Sequence, residues 1–358
     1  MGMTNSSILK SFREIMEIVQ KSDLTINIME VCGTHTMALF EHGIRSLLPQ
    51  NINLISGPGC PVCVTGEEIM VEAFELLEKH KVTLFTFGDM LKVPGEGRAL
   101  SILKAQGFSV KVAYSPRNAI EFAEKNPNIE VVFFGAGFET TAPALGATIL
   151  EAYTKKLKNF SMFLAVKTVP PALEFLVEHN SLIDGFILPG HVSAVIGAKA
   201  FRFITENYQI PAAVTGFTAE ELLLGISLVV KSILKKEPSY YNAYPHVVRE
   251  QGNVEAQRII EEVFEKGDAN WRGIGTIPLS GLFIRERYSQ YDARKKYGLR
   301  EKPPIVPRGC KCGEIMLGRM LPPECPLFAK GCTPEKPVGA CMVSSEGSCA
   351  AYYKYGRR

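Results

Sequence analysis

The chain has 358 residues, 46% of them hydrophobic and 22% charged, enough for two or three domains because single cores stop growing before that size. Its 40 basic and 37 acidic residues leave a net charge of +3, which argues against a dedicated nucleic-acid binder, whose footprint is a strong basic excess. The longest apolar run, residues 222–230, is half the length a bilayer requires, and no basic-then-apolar leader opens the chain. We therefore expect a soluble, cytoplasmic protein with no membrane partner.

Taken in order, Ile8, Phe12, Ile15, Met16 and Val19 recur at helical spacing and predict an amphipathic helix over 8–20. A strand over 26–31 ends in Cys32-Gly-Thr-His35, and a helix is expected from about 35 to 48, before Pro49. A strand at 53–56 runs into Gly57-Pro-Gly-Cys-Pro-Val-Cys-Val-Thr-Gly66. There Thr65 and Glu68 have the spacing of a capping box for a helix reaching about residue 80. Strands are expected at 83–87, 109–113 and 130–134, the first ending in Gly88-Asp89 and the last in Gly135-Ala-Gly-Phe-Glu-Thr-Thr141. Ser115-Pro116 reads as a cap followed by proline at the first helical position.

A second set of units follows, with strands at 161–166, 185–188 and 212–214. The middle one ends in Pro189-Gly-His-Val-Ser193, and Thr218 and Glu221 form a second capping box. Strands alternating with helices of this length mean βαβ units and parallel sheets. The expected fold is α/β: an N-terminal helix in 1–24, Rossmann-like domains at 25–140 and 141–236, and a small C-terminal iron–sulfur domain at 237–358. In that last part only a helix around 254–264 is periodic, and a Pro-rich connector lies near 301–307.

Residues with chemical potential recur at one kind of place. Cys32 and His35, Cys60 and Cys63, Asp89, Glu139 with Thr140 and Thr141, and His191 all follow the carboxyl end of an expected strand. Ligand sites of open α/β sheets gather there. Cys60 and Cys63 are expected just before a helix N-terminus, where the local positive field favours thiolates. They form a redox dithiol, half a metal site, or ordinary loop cysteines. His35 reads as a ligand, a proton carrier, or a helix-start histidine bonding a backbone carbonyl. Glu139, Thr140 and Thr141 read as lining a polar cleft, with helix capping an adequate alternative for the threonines. There is no Walker A loop, and Gly135-Ala-Gly137 lacks the third glycine of a dinucleotide turn.

Nine cysteines in a chain this large, without a secretory leader, point to metal or redox work. Three lie in the first fifth and six between Cys310 and Cys349, so two sulfur sites are expected. Counting from Cys310, the spacings through Cys325, Cys332 and Cys349 are 14, 6 and 16 residues, with Cys312 the alternative first member. Zinc sites prefer repeated close pairs, whereas dispersed thiolates suit an Fe–S cluster.

These motifs, with Cys332-Thr-Pro-Glu and the run Cys-Met-Val-Ser-Ser-Glu-Gly-x-Cys-Ala-Ala-Tyr-Tyr353, closely resemble those of the HypD family across essentially the whole chain. The resemblance implies a scaffold that assembles and transfers the Fe(CN)2CO unit of the [NiFe]-hydrogenase active site. It acts with the small HypC chaperone, receives cyanide from HypE, and delivers to the hydrogenase large-subunit precursor. It implies a [4Fe-4S] cluster on the tail cysteines, Cys32 as the protein ligand to the nascent iron with His35 near it, and Cys60/Cys63 as a redox pair. We expect Thr34, Glu139, Thr140, Thr141, His191 and Ser193 to line the same cleft, with Thr140, Thr141, His191 and backbone amides as the donors facing cyanide nitrogens. The chain is thus read as a metallocentre-assembly scaffold with redox capability; whether it catalyses a bond-forming step is left open. The alternatives are an Fe–S-dependent protein thiol–disulfide oxidoreductase, in which Cys32 has no role, and an interaction protein with a zinc-stapled tail.

Overall fold

The computed structural model describes residues 5–179 and 182–356. Eleven strands form: β1 (Ile26–Glu30), β2 (Ile52–Ser56), β3 (Val82–Thr86), β4 (Val110–Val112), β5 (Glu130–Gly137), β6 (Phe160–Lys167), β7 (Gly185–Pro189), β8 (Ala212–Thr215), β9 (Tyr240–Asn242), β10 (Phe264–Trp271) and β11 (Gly275–Ile284). The first eight are those the sequence predicts. Every residue of β3, β6, β7 and β8 is buried, which is why they read as near-continuous apolar runs: helices cover both faces of a parallel sheet.

The strands assemble into two sheets, and their allocation corrects the sequential division near residue 140. One sheet has the order β2-β1-β7-β8-β9 and is parallel throughout. The other has the order β10-β11-β6-β5-β3-β4. Its β6, β5, β3 and β4 are parallel, while the β10–β11 hairpin adds antiparallel to β6. The chain therefore starts in one sheet, builds most of the second, returns for β7 to β9, and leaves again. Neither half of the expected boundary is a self-contained sheet, because β1 pairs with β7 rather than with β3.

Local signals hold unevenly. Helix Asn5–Gln20 buries Ile8, Phe12, Ile15, Met16 and Val19 in a cluster with helix Ala219–Lys235 and the β1, β2 strands. The Thr218 capping box is present in both directions. The Thr65 box is not: Thr65 donates back to the Pro61 carbonyl (2.8 Å), and helix Glu67–Lys79 begins after Gly66. The Glu68 carboxylate is drawn away by Asn270 (2.7 Å) and the Ile305 amide (3.2 Å), so it clamps the connector to the body. The helix expected over 35–48 stops at Glu41 and continues as a short 3-10 turn at Ile44–Leu47.

The tail does not stand apart as an autonomous unit. Cys312, Met316, Leu317, Ala340 and Cys341 belong to the same buried cluster as residues of both sheets. No helix among the described residues is long and apolar enough to cross a membrane.

Candidate metal and thiol site

Cys32 leaves β1 in an extended conformation and occupies the N-cap of helix Gly33–Glu41. Two glycines bring the next loop against it. The Gly57 amide donates to the Glu30 carbonyl (2.8 Å) and the Gly33 amide to the Gly59 carbonyl (3.1 Å). A Cβ on Gly59 would stand 2.3 Å from the Cys32 nitrogen, so only glycine permits this approach. The Cys32 thiol is half-buried and is pushed up to about 12, chiefly by desolvation. Glu346 adds to that push, while the His35 and Thr34 amides and the Thr34 hydroxyl oppose it.

Beneath Cys32 lies a buried polar knot that sequence reading missed. Glu30 is fully buried and accepts from Ser56 (2.7 Å), Thr36 (3.0 Å) and Arg45 (3.0 Å). Burial raises its carboxyl to about 7 against these partners. Arg45 also donates to the Leu54 carbonyl (2.8 Å), tying β1, β2 and the following helix together below the cleft. An acidic residue near the end of an apolar strand is the one signal that could have flagged it.

His35 is fully buried, its Nε2 at 3.1 Å from both the Gly216 carbonyl and the Thr215 hydroxyl. A carbonyl only accepts, so Nε2 carries the proton and Nδ1 is a bare lone pair without a partner. Desolvation lowers the ring to about 4, and it is neutral at physiological pH. Of the three roles read from sequence, the ring makes the backbone-carbonyl contact. Its face meets Phe217, whose ring stacks in turn on His191 at 4.1 Å. His191 lies at the surface, made less basic by partial desolvation, with Glu346 pulling the other way.

Cys60 N-caps the single turn Pro61–Val64, its sulfur accepting from the Cys63 amide (3.3 Å), and the two sulfurs lie 2.6 Å apart. Both are buried. The expected thiolate does not follow for Cys63, whose thiol is pushed well above its usual range by desolvation and by neighbouring Cys341 and Cys60. One helical turn supplies too little field to offset burial.

All six tail cysteines, Cys310, Cys312, Cys325, Cys332, Cys341 and Cys349, line one small hollow. Burial and the sulfurs of Cys341, Cys310, Cys332 and Cys325 push the Cys349 thiol up. Cys341, for which no role was expected, thus touches both sulfur sites. Among the described residues, no group of three His, Cys, Asp or Glu side chains is spaced to close on a single metal ion. The segment 344–346 spans the cleft: Ser344 donates to Asp89 (3.4 Å) after β3, and Thr34 donates to Glu346 (2.6 Å) after β1.

Of the other expected cleft residues, Glu139 faces a separate cavity. Glu139 is buried, raised to about 7 by desolvation, and accepts from the Val169 amide (2.8 Å). It opens into a different cavity with Thr168, Phe203 and Lys266. Thr141 packs on Gly137 at the start of helix Ala142–Thr154 without a side-chain cap bond, and Thr140 is exposed. Ser193 is buried and donates to the Pro189 carbonyl (2.9 Å) within its own helix.

A family profile described as HypD, hydrogenase formation hypA family, matches residues 6–356. The hydrogenase maturation factor HypD of Rhodobacter capsulatus is 42% identical over 346 residues, covering 95% of this chain and 92% of that protein. The Escherichia coli K12 protein of the same name is 42% identical over 335 residues, 92% of this chain and 89% of its own. That of Azotobacter vinelandii is 40% identical over 340 residues, 92% and 89% respectively. With matches that run from the opening helix through the last tail cysteine, the chain belongs to the HypD family.

Proposed function

We propose that this protein is a hydrogenase maturation factor, a scaffold that holds iron on Cys32 while the Fe(CN)2CO unit of the [NiFe]-hydrogenase active site is assembled. A HypC-type chaperone is its partner, HypE its source of cyanide, and the hydrogenase large-subunit precursor its recipient. One observation carries the reading: a half-buried thiol, Cys32, is locked by glycine contacts against the Cys60/Cys63 loop, with a six-cysteine hollow behind that loop. Soft thiolate suits low-spin iron bearing cyanide and CO, and Cys32 surrenders its proton when iron binds. Of the side chains expected to hydrogen-bond cyanide nitrogens, His191 is exposed and feels the charge of Glu346, to which the Thr34 hydroxyl already donates.

The tail fits a [4Fe-4S] cluster. Its donor set is thiol-rich, buried or half-buried and gathered on one hollow, and a multi-atom core takes ligands farther apart than a single ion does. Cys310, Cys325, Cys332 and Cys349 are the assigned ligands. Cys312, which lines the same hollow, is the alternative to Cys310. Bound there, a cluster supplies a one-electron carrier. Cys60 and Cys63 exchange two electrons and two protons as they pass between dithiol and disulfide, and Cys341 lies between them and the hollow.

The oxidoreductase reading uses the same pair, which lies at 2.6 Å. Against it, Cys60 and Cys63 are only 4% and 3% exposed, out of reach of a protein disulfide. Replacing Cys32 with alanine separates the two readings. In a host lacking its own family member, the scaffold requires hydrogenase activity to be lost with the variant protein still brown. Hydrogenase activity at the wild-type level would leave the oxidoreductase.

A further inference from the structure

Arg272, at the end of the β10–β11 hairpin, has no role in the preceding account. It is 1% exposed, and its Nε, Nη1 and Nη2 all lack a hydrogen-bond partner. A guanidinium carries five donors and a charge it does not surrender, so leaving all of them unmet in the interior is costly. The nearby acid does not account for this. Glu67 Oε2 stands 3.6 Å from Arg272 Nη2, beyond a hydrogen bond, and itself lacks a partner. Two other pairs built on a buried acid close properly, Arg45 on Glu30 at 3.0 Å and Arg294 on Glu72 at 2.9 Å.

The backbone places Arg272 between the two sulfur sites. Its amide donates to the carbonyl of Val64, the residue after Cys63 (3.0 Å). The next residue, Gly273, is pressed onto the tail turn: a Cβ there would lie 2.8 Å from the Gly313 nitrogen and 3.1 Å from the Cys312 sulfur. A fixed cation is thus built into the wall that the dithiol loop and the tail cysteines share.

We propose that Arg272 is a positioning residue that balances the negative charge of the group held by the tail cysteines and sets its reduction potential. The inference rests on the cluster proposed above. Reduction adds negative charge, which a neighbouring cation stabilises, and net charge and hydrogen bonding around the sulfurs are among the levers on such potentials. Arg272 therefore makes the reduced form easier to reach, and Glu67, the acid beside it, acts in the opposite sense.

The test is a dye-mediated redox titration of the full-length protein, purified anaerobically with its chaperone, with iron and acid-labile sulfide measured on each sample. Arg272→Met is expected to lower the reduction equilibrium constant about tenfold, about 59 mV more negative for one electron. Glu67→Gln is expected to shift it the other way, and Arg272→Lys to stay close to wild type. Should Arg272→Met alone not fold, Arg272→Met combined with Glu67→Gln removes both charges of the pair, a change interiors tolerate better. Its potential is then expected to be about 59 mV more negative than that of Glu67→Gln. Equal potentials with full iron and sulfide, or Arg272→Lys shifting as far as Arg272→Met, would overturn the charge role. A wild-type protein without iron and sulfide would remove the cluster itself, and this inference with it.

Discussion

His35 offers a sharp test of the site's electrostatics. Its ring is wholly buried and neutral, lowered from 6.5 to about 4 by desolvation. The unfolded chain therefore binds a proton that the folded chain refuses between those values. Stability from this group is fully present above the unfolded pKa and is lost as pH falls toward the folded one. At about pH 5 the loss is about 2 kcal/mol, and the limiting value is on the order of 3 kcal/mol. Glu30 and Glu139, both raised to about 7, have the opposite sign: they weaken the fold as pH rises from their ordinary value of 4.5 toward 7. A wild-type curve mixes these effects, so the comparison must be with His35→Gln, whose amide still donates to the Gly216 carbonyl. Urea unfolding at about pH 7.5 and about pH 5 should show wild type losing about 2 kcal/mol more than the variant. The same pH dependence in both proteins would refute the argument that the ring is held neutral by burial.

Three further outcomes are expected. Glu30→Ala strands the Arg45 cation and the Ser56 and Thr36 hydroxyls and should cost about 3–5 kcal/mol in chemical denaturation, with Glu30→Gln milder. Gly59→Ala drives a methyl into the Cys32 backbone and should cost about 1–3 kcal/mol, read as a lowered Tm. Glu346→Ala removes the hydrogen bond from Thr34 and loosens the segment across the cleft. Stability should fall by about 1–2 kcal/mol, and limited proteolysis should cut faster near residues 340–347.

Much of this site was legible as residues, much less of it as neighbours. Strands β3, β6, β7 and β8 announced themselves as apolar runs because both faces are covered, yet nothing in a run says that β1 lies beside β7. The β10–β11 hairpin was hidden by its own composition: Phe264–Trp271 carries Glu265, Lys266 and Asp268, and Gly275–Ile284 carries Pro278. Glu139 stood in a conspicuous motif after β5, but the crossover that places Val169 beside it sends its carboxylate to another cavity. The Cys60/Cys63 loop was recognisable from spacing. Its protonation was not, because the sulfur that presses on Cys63 comes from Cys341, far along the chain. Arg272 gave no signal, since a lone arginine after a tryptophan looks like any surface charge until its burial is known.

The central claim is that Cys32 holds the iron of a nascent Fe(CN)2CO unit. Its most direct test is an infrared spectrum of this protein purified anaerobically with a HypC-type chaperone, beside the same complex carrying Cys32→Ser. Metal-bound cyanide and CO absorb where protein is nearly silent. The account predicts such bands in the wild-type complex and their loss in the variant with the tail iron and sulfide unchanged. Bands that persist without the Cys32 thiol, or a brown wild-type complex with no bands at all, would contradict it.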